Sequence, residues 1–246
     1  MKDGNTILAI IPARCGSKGI PMKNILDLCG KPLLGWPVQA AKNSKYIDKV
    51  IVSTDDQIIA EIAERMGAEV PFIRPKELAN DTASSLDVIV HALDFLRIRN
   101  MVYQYLILLE PTSPLTEAQD IDSALETLCL KRDIADSIVS VSRVVSAHPV
   151  YDVVLESNGL INPFLQEDFR NASRRQDISE LYFFDGSLYI SDVGVLLKEK
   201  CFYHKRTLGY ITPKWKSFEV DDMVDMICIE AILNNIHKIK KAEPKL

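Results

Sequence analysis

The chain has 246 residues, 47% hydrophobic and 26% charged, proportions that suit one globular α/β domain with a modest insertion and exclude a disordered chain. A formal net charge of -5 argues against a nucleic-acid partner, because phosphate backbones select basic faces, and no apolar run reaches the roughly 18 residues of a membrane span. The five cysteines (Cys15, Cys29, Cys129, Cys201, Cys228) are scattered without a CxxC pair, and the opening MKDGNTILAII lacks the long apolar stretch of a signal peptide, so a reducing cytoplasmic setting is expected.

Short β-branched runs alternate with helical patterns, which predicts βαβ units and a parallel sheet. Thr6–Pro12 reads as the first strand, followed by a loop from Ala13 to Asn24. A helix is predicted over Leu33–Ser44, with Pro37 in its first turn, and a strand over Lys49–Thr54. Asp55 or Asp56 caps a helix to Met66, Gly67 suits the left-handed residue after it, and Glu69–Ile73 reads as a strand. Ser84 or Ser85 opens a helix to Arg97, Tyr103–Leu109 is a central strand, and Thr116 caps a helix to Arg132. After a strand at Ser137–Ser142 the rhythm breaks. Residues 144–184 are irregular and polar, with strand-like pieces at Val150–Leu155 and Gly159–Asn162, and read as an insert within a core of residues 1–143 and 185–246. Strands at Gly186–Ile190 and Lys216–Val220 and an amphipathic helix from Asp221 to about His237 complete the pattern.

Doubly wound sheets bind ligands beyond the carboxyl ends of their strands, which directs attention to the first loop, ARCGSKGIPMKN. It offers Arg14, Lys18 and Lys23 as cations, Gly16 and Gly19 as points of close backbone approach, and Ser17 and Asn24 as hydrogen-bond donors, a set suited to a polyphosphate. It is neither a Walker A loop nor a GxGxxG turn. The competing reading is an ordinary solvated basic loop. The histidines His91, His148, His204 and His237 show no metal-ligand spacing, and Cys15, set among cations, has surroundings that could make it acidic.

The stretch IIPARCGSKGIPMKN resembles the N-terminal signature of the acylneuraminate cytidylyltransferases, the CMP-sialic acid synthetases, with Cys15 where the family usually carries Gly. IVSTDD, RPKELANDTASS, LLEPTSPL, DGSLYISD and SFEVDDMVD resemble later blocks of the same family in the same order. The resemblance implies a Rossmann-like, mostly parallel sheet flanked by helices, of the nucleotide-diphospho-sugar transferase type, with 144–184 as a dimerisation insert. It also implies transfer of CMP from CTP to the anomeric hydroxyl of a nonulosonic (sialic-acid-like) keto sugar acid, with release of pyrophosphate.

By the same resemblance Arg14 and Lys18 hold the triphosphate, while Lys23 and Asn24 lie nearer the α-phosphate and the sugar. Arg74 contacts the cytosine edge, Ser84 lies close to base or ribose, and Ala13 offers main chain to the base. For Arg74 an ion pair with Glu77 or Asp81 is the alternative. The family's metal aspartates correspond to Glu219 and Asp221, which on alternate strand positions would share one face and reach one Mg²⁺. A helix cap is the alternative role for Asp221. Arg175 and Tyr189 match the family's sugar-binding positions, and Arg175 is expected to reach into a partner subunit's site. Glu110, Thr116, Phe183 and Asp185 depart from it. They replace two amides by acids and remove two basic groups, pointing to a differently decorated sugar such as one of the legionaminic type. The remaining alternatives are a Kdo-type or other sugar nucleotidyltransferase and a catalytically silent nucleotide-binding protein.

Overall fold

The computed structural model describes residues 4–17, 19–145, 148–165 and 179–242. Ile7–Pro12 forms β1, and Asp27–Leu28 (β2) and Lys31–Pro32 (β3) make a small hairpin. Gly35–Asn43 (α1), Lys49–Ser53 (β4), Gln57–Arg65 (α2), Ser85–Arg97 (α3), Tyr105–Leu108 (β5), Ala118–Leu130 (α4) and Ser137–Arg143 (β6) follow. Then come Val153–Leu155 (β7), Ile161–Pro163 (β8), Tyr182–Asp192 (β9), Val193–Glu199 (α5), Thr207–Thr212 (β10), Met223–Asn234 (α6) and Ile236–Ala242 (α7).

The central sheet has the order β10-β6-β9-β5-β1-β4. Strand β1 pairs parallel with β4 and β5, β10 pairs parallel with β6, and β9 runs antiparallel to both β5 and β6. The continuous apolar run of β1 follows from burial on both faces. Ile7, Ala9 and Ile11 face the layer of α1, α2 and α4, whereas Leu8 and Ile10 face α3 and α5. A third cluster joins Ile20 of the first loop, Leu28, Leu33, Leu115 and Val220 to Met226 and Ile229 of α6. It lies under the loops rather than against the sheet, and so fixes them to one another.

Several expected elements take another form. Glu69–Ile73 makes only isolated bridges, Ile51 to Glu69 and Thr54 to Ile73, because Pro71 has no N–H to donate to a ladder. Helix α4 is capped by Glu117 rather than Thr116. Lys216–Val220 is not a strand: Pro213 starts a helical turn at Lys214–Lys216, and the Val220 N–H goes to the Thr112 carbonyl at 2.8 Å. The edge beside β6 is instead taken by β10. Helix α6 is capped by Asp222, whose side chain accepts from the Val224 and Asp225 N–H groups, so Asp221 is released from that role. Strand β9 is longer than expected and crosses the boundary placed between residues 184 and 185. In the insert, β7 and β8 form an exposed antiparallel hairpin.

Candidate active site

The first loop leaves the carboxyl end of β1 with its backbone braced. Ala13 is buried and its N–H donates to the Ser53 carbonyl at 2.9 Å, adding one rung between the chain after β1 and β4. The buried Asn24 amide donates to the Arg14 carbonyl at 2.8 Å, so Asn24 holds the loop rather than standing free for a ligand. Ser17 is half-buried, and Lys18 lies outside the described residues. A Cβ on Gly19 would lie 2.3 Å from the Asp221 carbonyl oxygen, whereas Gly16 faces open space, so of the two only Gly19 meets a crowded neighbour. The Lys23 ammonium donates to the Val220 carbonyl at 2.6 Å and stands 3.5 Å from an Asp221 carboxylate oxygen.

Beside this loop is a cavity of about 230 Å³ lined by Arg14, Arg74, Asn80, Asp81, Ser85 and Glu110. Arg14 crosses its mouth to Asp81 at 2.8 Å. Asn80 shapes the turn that presents Asp81: its side-chain oxygen accepts the Thr82 and Ala83 N–H groups, both at 2.9 Å. Arg74 is only 4% exposed, and its guanidinium donates to the Ser53 hydroxyl at 3.1 Å, the Ser53 carbonyl and the Leu78 carbonyl. These partners stand in place of the alternative ion pair with Glu77 or Asp81. Burial lowers the Arg74 pKa; Asp55 and Glu110 oppose that shift and Arg14 adds to it.

Ser84 does not line this cavity. Its hydroxyl accepts the Asp87 N–H at 3.1 Å while the Asp87 carboxylate takes the Ser84 N–H at 3.2 Å, a capping box at the start of α3. Ser85, one residue on, is the serine that faces the cavity. Cys15 is also corrected: its nearest charge is Asp55, whose carboxylate accepts the thiol at 3.1 Å and, with burial, raises its pKa.

The carboxylates gather at the carboxyl end of β5, beside the first half of β9. Glu110 follows β5, and burial together with the charge of Glu219 pushes its carboxyl up to about 7, against the pull of Arg74 and Lys23. Glu219 is likewise pushed up to about 7 by burial, then by Asp221 and Asp185, with Lys23 opposing. Gly186, at φ +72, leaves the space Glu219 occupies: a Cβ there would lie 1.5 Å from the Glu219 carboxylate. The Asp221 side chain is exposed.

Asp185 contradicts its expected role at the sugar. It is 2% exposed, and its carboxylate accepts from the Ser140 hydroxyl, the Ser187 N–H at 3.1 Å, the Ser187 hydroxyl at 2.8 Å and the Thr212 hydroxyl. It ties β6, β9 and β10 together beneath Glu219. Tyr189 does stand by the cluster, packed on Phe202 and Tyr203 with ring centroids 5.4 Å and 6.1 Å away, and burial raises its phenol above the usual range. Thr116 donates to the Ser187 carbonyl at 3.4 Å, and Phe183 lines a separate surface cavity with Leu181 and Tyr182. Arg175 lies outside the described residues.

The fold brings Arg14, Lys23, Arg74, Glu110, Glu219 and Asp221, all named from the sequence, to one edge of the sheet. Asp81, the partner of Arg14, and Ser85 were not among the sequence candidates, although the Asn-Asp-Thr turn signal marks Asp81.

A model of the cytidylyltransferase family matches residues 8–235. The pseudaminic acid cytidylyltransferase of Campylobacter jejuni is 30% identical over 223 residues, which cover 89% of this chain and 92% of that one. The CMP-N,N'-diacetyllegionaminic acid synthase of Legionella pneumophila is 32% identical over 229 residues, covering 92% and 96%. Among solved structures, a CMP:2-keto-3-deoxy-manno-octonic acid synthetase complexed with CTP superposes with a TM-score of 0.68 at 17% identity, over 94% of this chain and 100% of that one, a likeness of fold. The chain belongs to the cytidylyltransferase family.

Proposed function

We propose that this enzyme joins CMP from CTP to the anomeric hydroxyl of a nonulosonic keto sugar acid, releases pyrophosphate, and does so with Mg²⁺. The observation that carries the reading is the contact between the two halves of the site: Gly19 abuts the Asp221 carbonyl while Lys23 reaches Val220 and Asp221. A cationic loop and a carboxylate limb held against each other suit a metal triphosphate. The names of the C. jejuni and L. pneumophila relatives support a nonulosonic substrate.

Glu110, Glu219 and Asp221 supply hard carboxylate oxygens, and the repulsion of Glu110 by Glu219 and of Glu219 by Asp221 is what a divalent cation would relieve. Mg²⁺ is usually held by one or two carboxylates plus phosphate and water, so two of these three would suffice. When bound, the ion would neutralise charge on the phosphates and the departing pyrophosphate. Arg14 would grip phosphate oxygens after exchanging Asp81 for the ligand, and Lys23 would exchange Val220 for a non-bridging oxygen near the α-phosphorus. Arg74, fixed by Ser53, would present its remaining donor capacity to the base, and Tyr189 would border the sugar.

Pyrophosphate release with CTP, Mg²⁺ and a panel of sialic, legionaminic and pseudaminic acids tests the reading, with UTP, ATP and GTP alongside. Release from CTP with at least one acid is expected, and silence across the panel would reject the proposal. Asp221→Ala should nearly abolish turnover and leave the thermal midpoint close to the parent, since Asp222 is the helix cap. Retention of most activity at saturating Mg²⁺ would remove Asp221 from the metal site.

A second copy of the chain, docked through the insert, belongs to the same proposal. Supporting it are the exposed apolar side chains of Val153, Val154, Leu155 and Ile161 on the β7–β8 hairpin and a cavity of about 410 Å³ at Val144, Pro149, Leu181 and Phe183. Arg175 is assigned to the partner's sugar site by resemblance alone. A cytoplasmic location is supported by the five free cysteines and by the need for CTP. Among the described residues no helix is long and apolar enough to cross a membrane.

A further inference from the structure

Lys216 belongs to none of the motifs above the reaction, yet it is the most enclosed lysine near the site. It is 7% exposed, and its ammonium meets Asp120 at 2.5 Å and Glu117 at 2.8 Å, with the Trp215 ring 5.0 Å away. Asp120 is 6% exposed and also accepts the Glu117 N–H at 2.8 Å and the Tyr210 hydroxyl at 3.2 Å. This cluster sits at the start of α4.

Two limbs of the active site depart from it. One runs back from Glu117 through Thr112 to Glu110, at the end of β5. The other runs forward from Lys216 to Glu219 and Asp221. The rung between them is the Val220 N–H donating to the Thr112 carbonyl at 2.8 Å. Residues 217–220 have neither helix nor strand to fix them; Lys216 holds one end, while the rung, the Lys23 bond to the Val220 carbonyl and the bond from the Asp221 N–H to Asp225 hold the other. Glu110 and Glu219 are mounted on opposite limbs of this frame.

We propose that Lys216 is a positioning residue that sets the spacing of Glu110 and Glu219, and through it the grip of the enzyme on its divalent cation. The inference rests on the metal reading above. The chemistry requires a cation here: a neutral side chain would leave Asp120 buried without a counter-charge and free the limb to move. Groups that orient metal ligands from behind alter metal affinity by roughly 10–100-fold when removed.

The test compares the wild type with Lys216→Met, Lys216→Arg and Glu117→Gln. Two readouts are taken: the Mg²⁺ concentration for half-maximal pyrophosphate release, and the rise in thermal midpoint that CTP plus Mg²⁺ produces without any sugar acid. Lys216→Met should need about 10-fold or more Mg²⁺ and lose most of the CTP–Mg²⁺ shift, while its rate at saturating Mg²⁺ falls much less. Lys216→Arg, which keeps the charge, should recover most of the metal affinity. Should Lys216→Met fail to fold, Glu117→Gln, which keeps Asp120 in place, should show a shift of several-fold in the same direction. A folded Lys216→Met with an unchanged Mg²⁺ requirement overturns the proposal, as does an unchanged Glu117→Gln where Lys216→Met does not fold. A wild type that turns over without any divalent ion would instead overturn the metal reading itself.

Discussion

Glu110 and Glu219 show how two ordinary acids become a site. Burial, with the charge of Glu219 beside Glu110 and those of Asp221 and Asp185 beside Glu219, raises both carboxyls from their ordinary value to about 7. A raised carboxyl holds its proton longer in the folded than in the unfolded chain, so the folded state binds more protons between about pH 4.5 and about pH 7. The stability these groups allow is therefore highest at the acidic end of that window and falls as pH rises through it. In metal-free protein Glu110→Gln should have a thermal midpoint close to the parent near about pH 5 and above it near about pH 8, the gap widening with pH. Added Mg²⁺ should narrow the gap by stabilising the parent. A gap that stays constant, or that shrinks as pH rises, would show that burial and the charge of Glu219 do not raise the Glu110 carboxyl. Glu110 also shares the cavity lining with Arg74, which favours a place between the proposed base and metal positions, whereas the amide-to-acid comparison alone points to the sugar substituents.

At the level of elements, helix starts do more than end helices. Asp56 accepts from the Ile58 and Ile59 N–H groups and opens α2; Ser84 and Asp87 open α3; Asp222 and Asp225 open α6. In the last case Asp225 also accepts the Asp221 N–H at 2.9 Å, so the helix start holds the proposed metal limb. Ser84 separates a capping role from a binding role. Ser84→Ala should cost about 1 kcal/mol of stability, read by denaturant unfolding, with the KM for CTP unchanged. A severalfold rise in KM at unchanged stability would return Ser84 to the nucleotide site. Ser85, which lines the cavity, is the position where that rise is expected.

For the whole molecule, the exposed apolar residues of the insert make the strongest demand for a partner. Leu155 is 71% exposed on β7, and Leu160, Ile161 and Phe164 are exposed beside it. The gathering of these side chains on one hairpin supports the proposed interface with a second copy of the chain. Light scattering should give a dimer at assay concentrations, and Leu155→Asp should shift it towards monomer with loss of activity, because a partner's residue is expected to complete the sugar site. A strictly monomeric parent with full activity would sink this assignment.

The sequence by itself determined the local features: the apolar runs that must be buried on both faces, the caps of α2 and α3, the left-handed Gly67, and the cationic loop after β1. Each depends on residues a few positions apart, where spacing and side-chain chemistry suffice. Arg14 and Lys23 were legible in the cationic loop, and Arg74, Glu110, Glu219 and Asp221 through the family resemblance of the short runs that carry them. What only the tertiary structure decided depends on residues far apart in the chain. Asp185 looked available in its motif, but Ser140 from β6 and Thr212 from β10 take its carboxylate. The stretch ending at Val220 had a strand's composition, yet the Thr112 carbonyl and the Lys216 ion pairs settled it as a braced loop. Thr207–Thr212 became the edge strand because its backbone found β6, a pairing no local pattern encodes. Composition fixes which groups must be buried or paired, and the fold selects the partners.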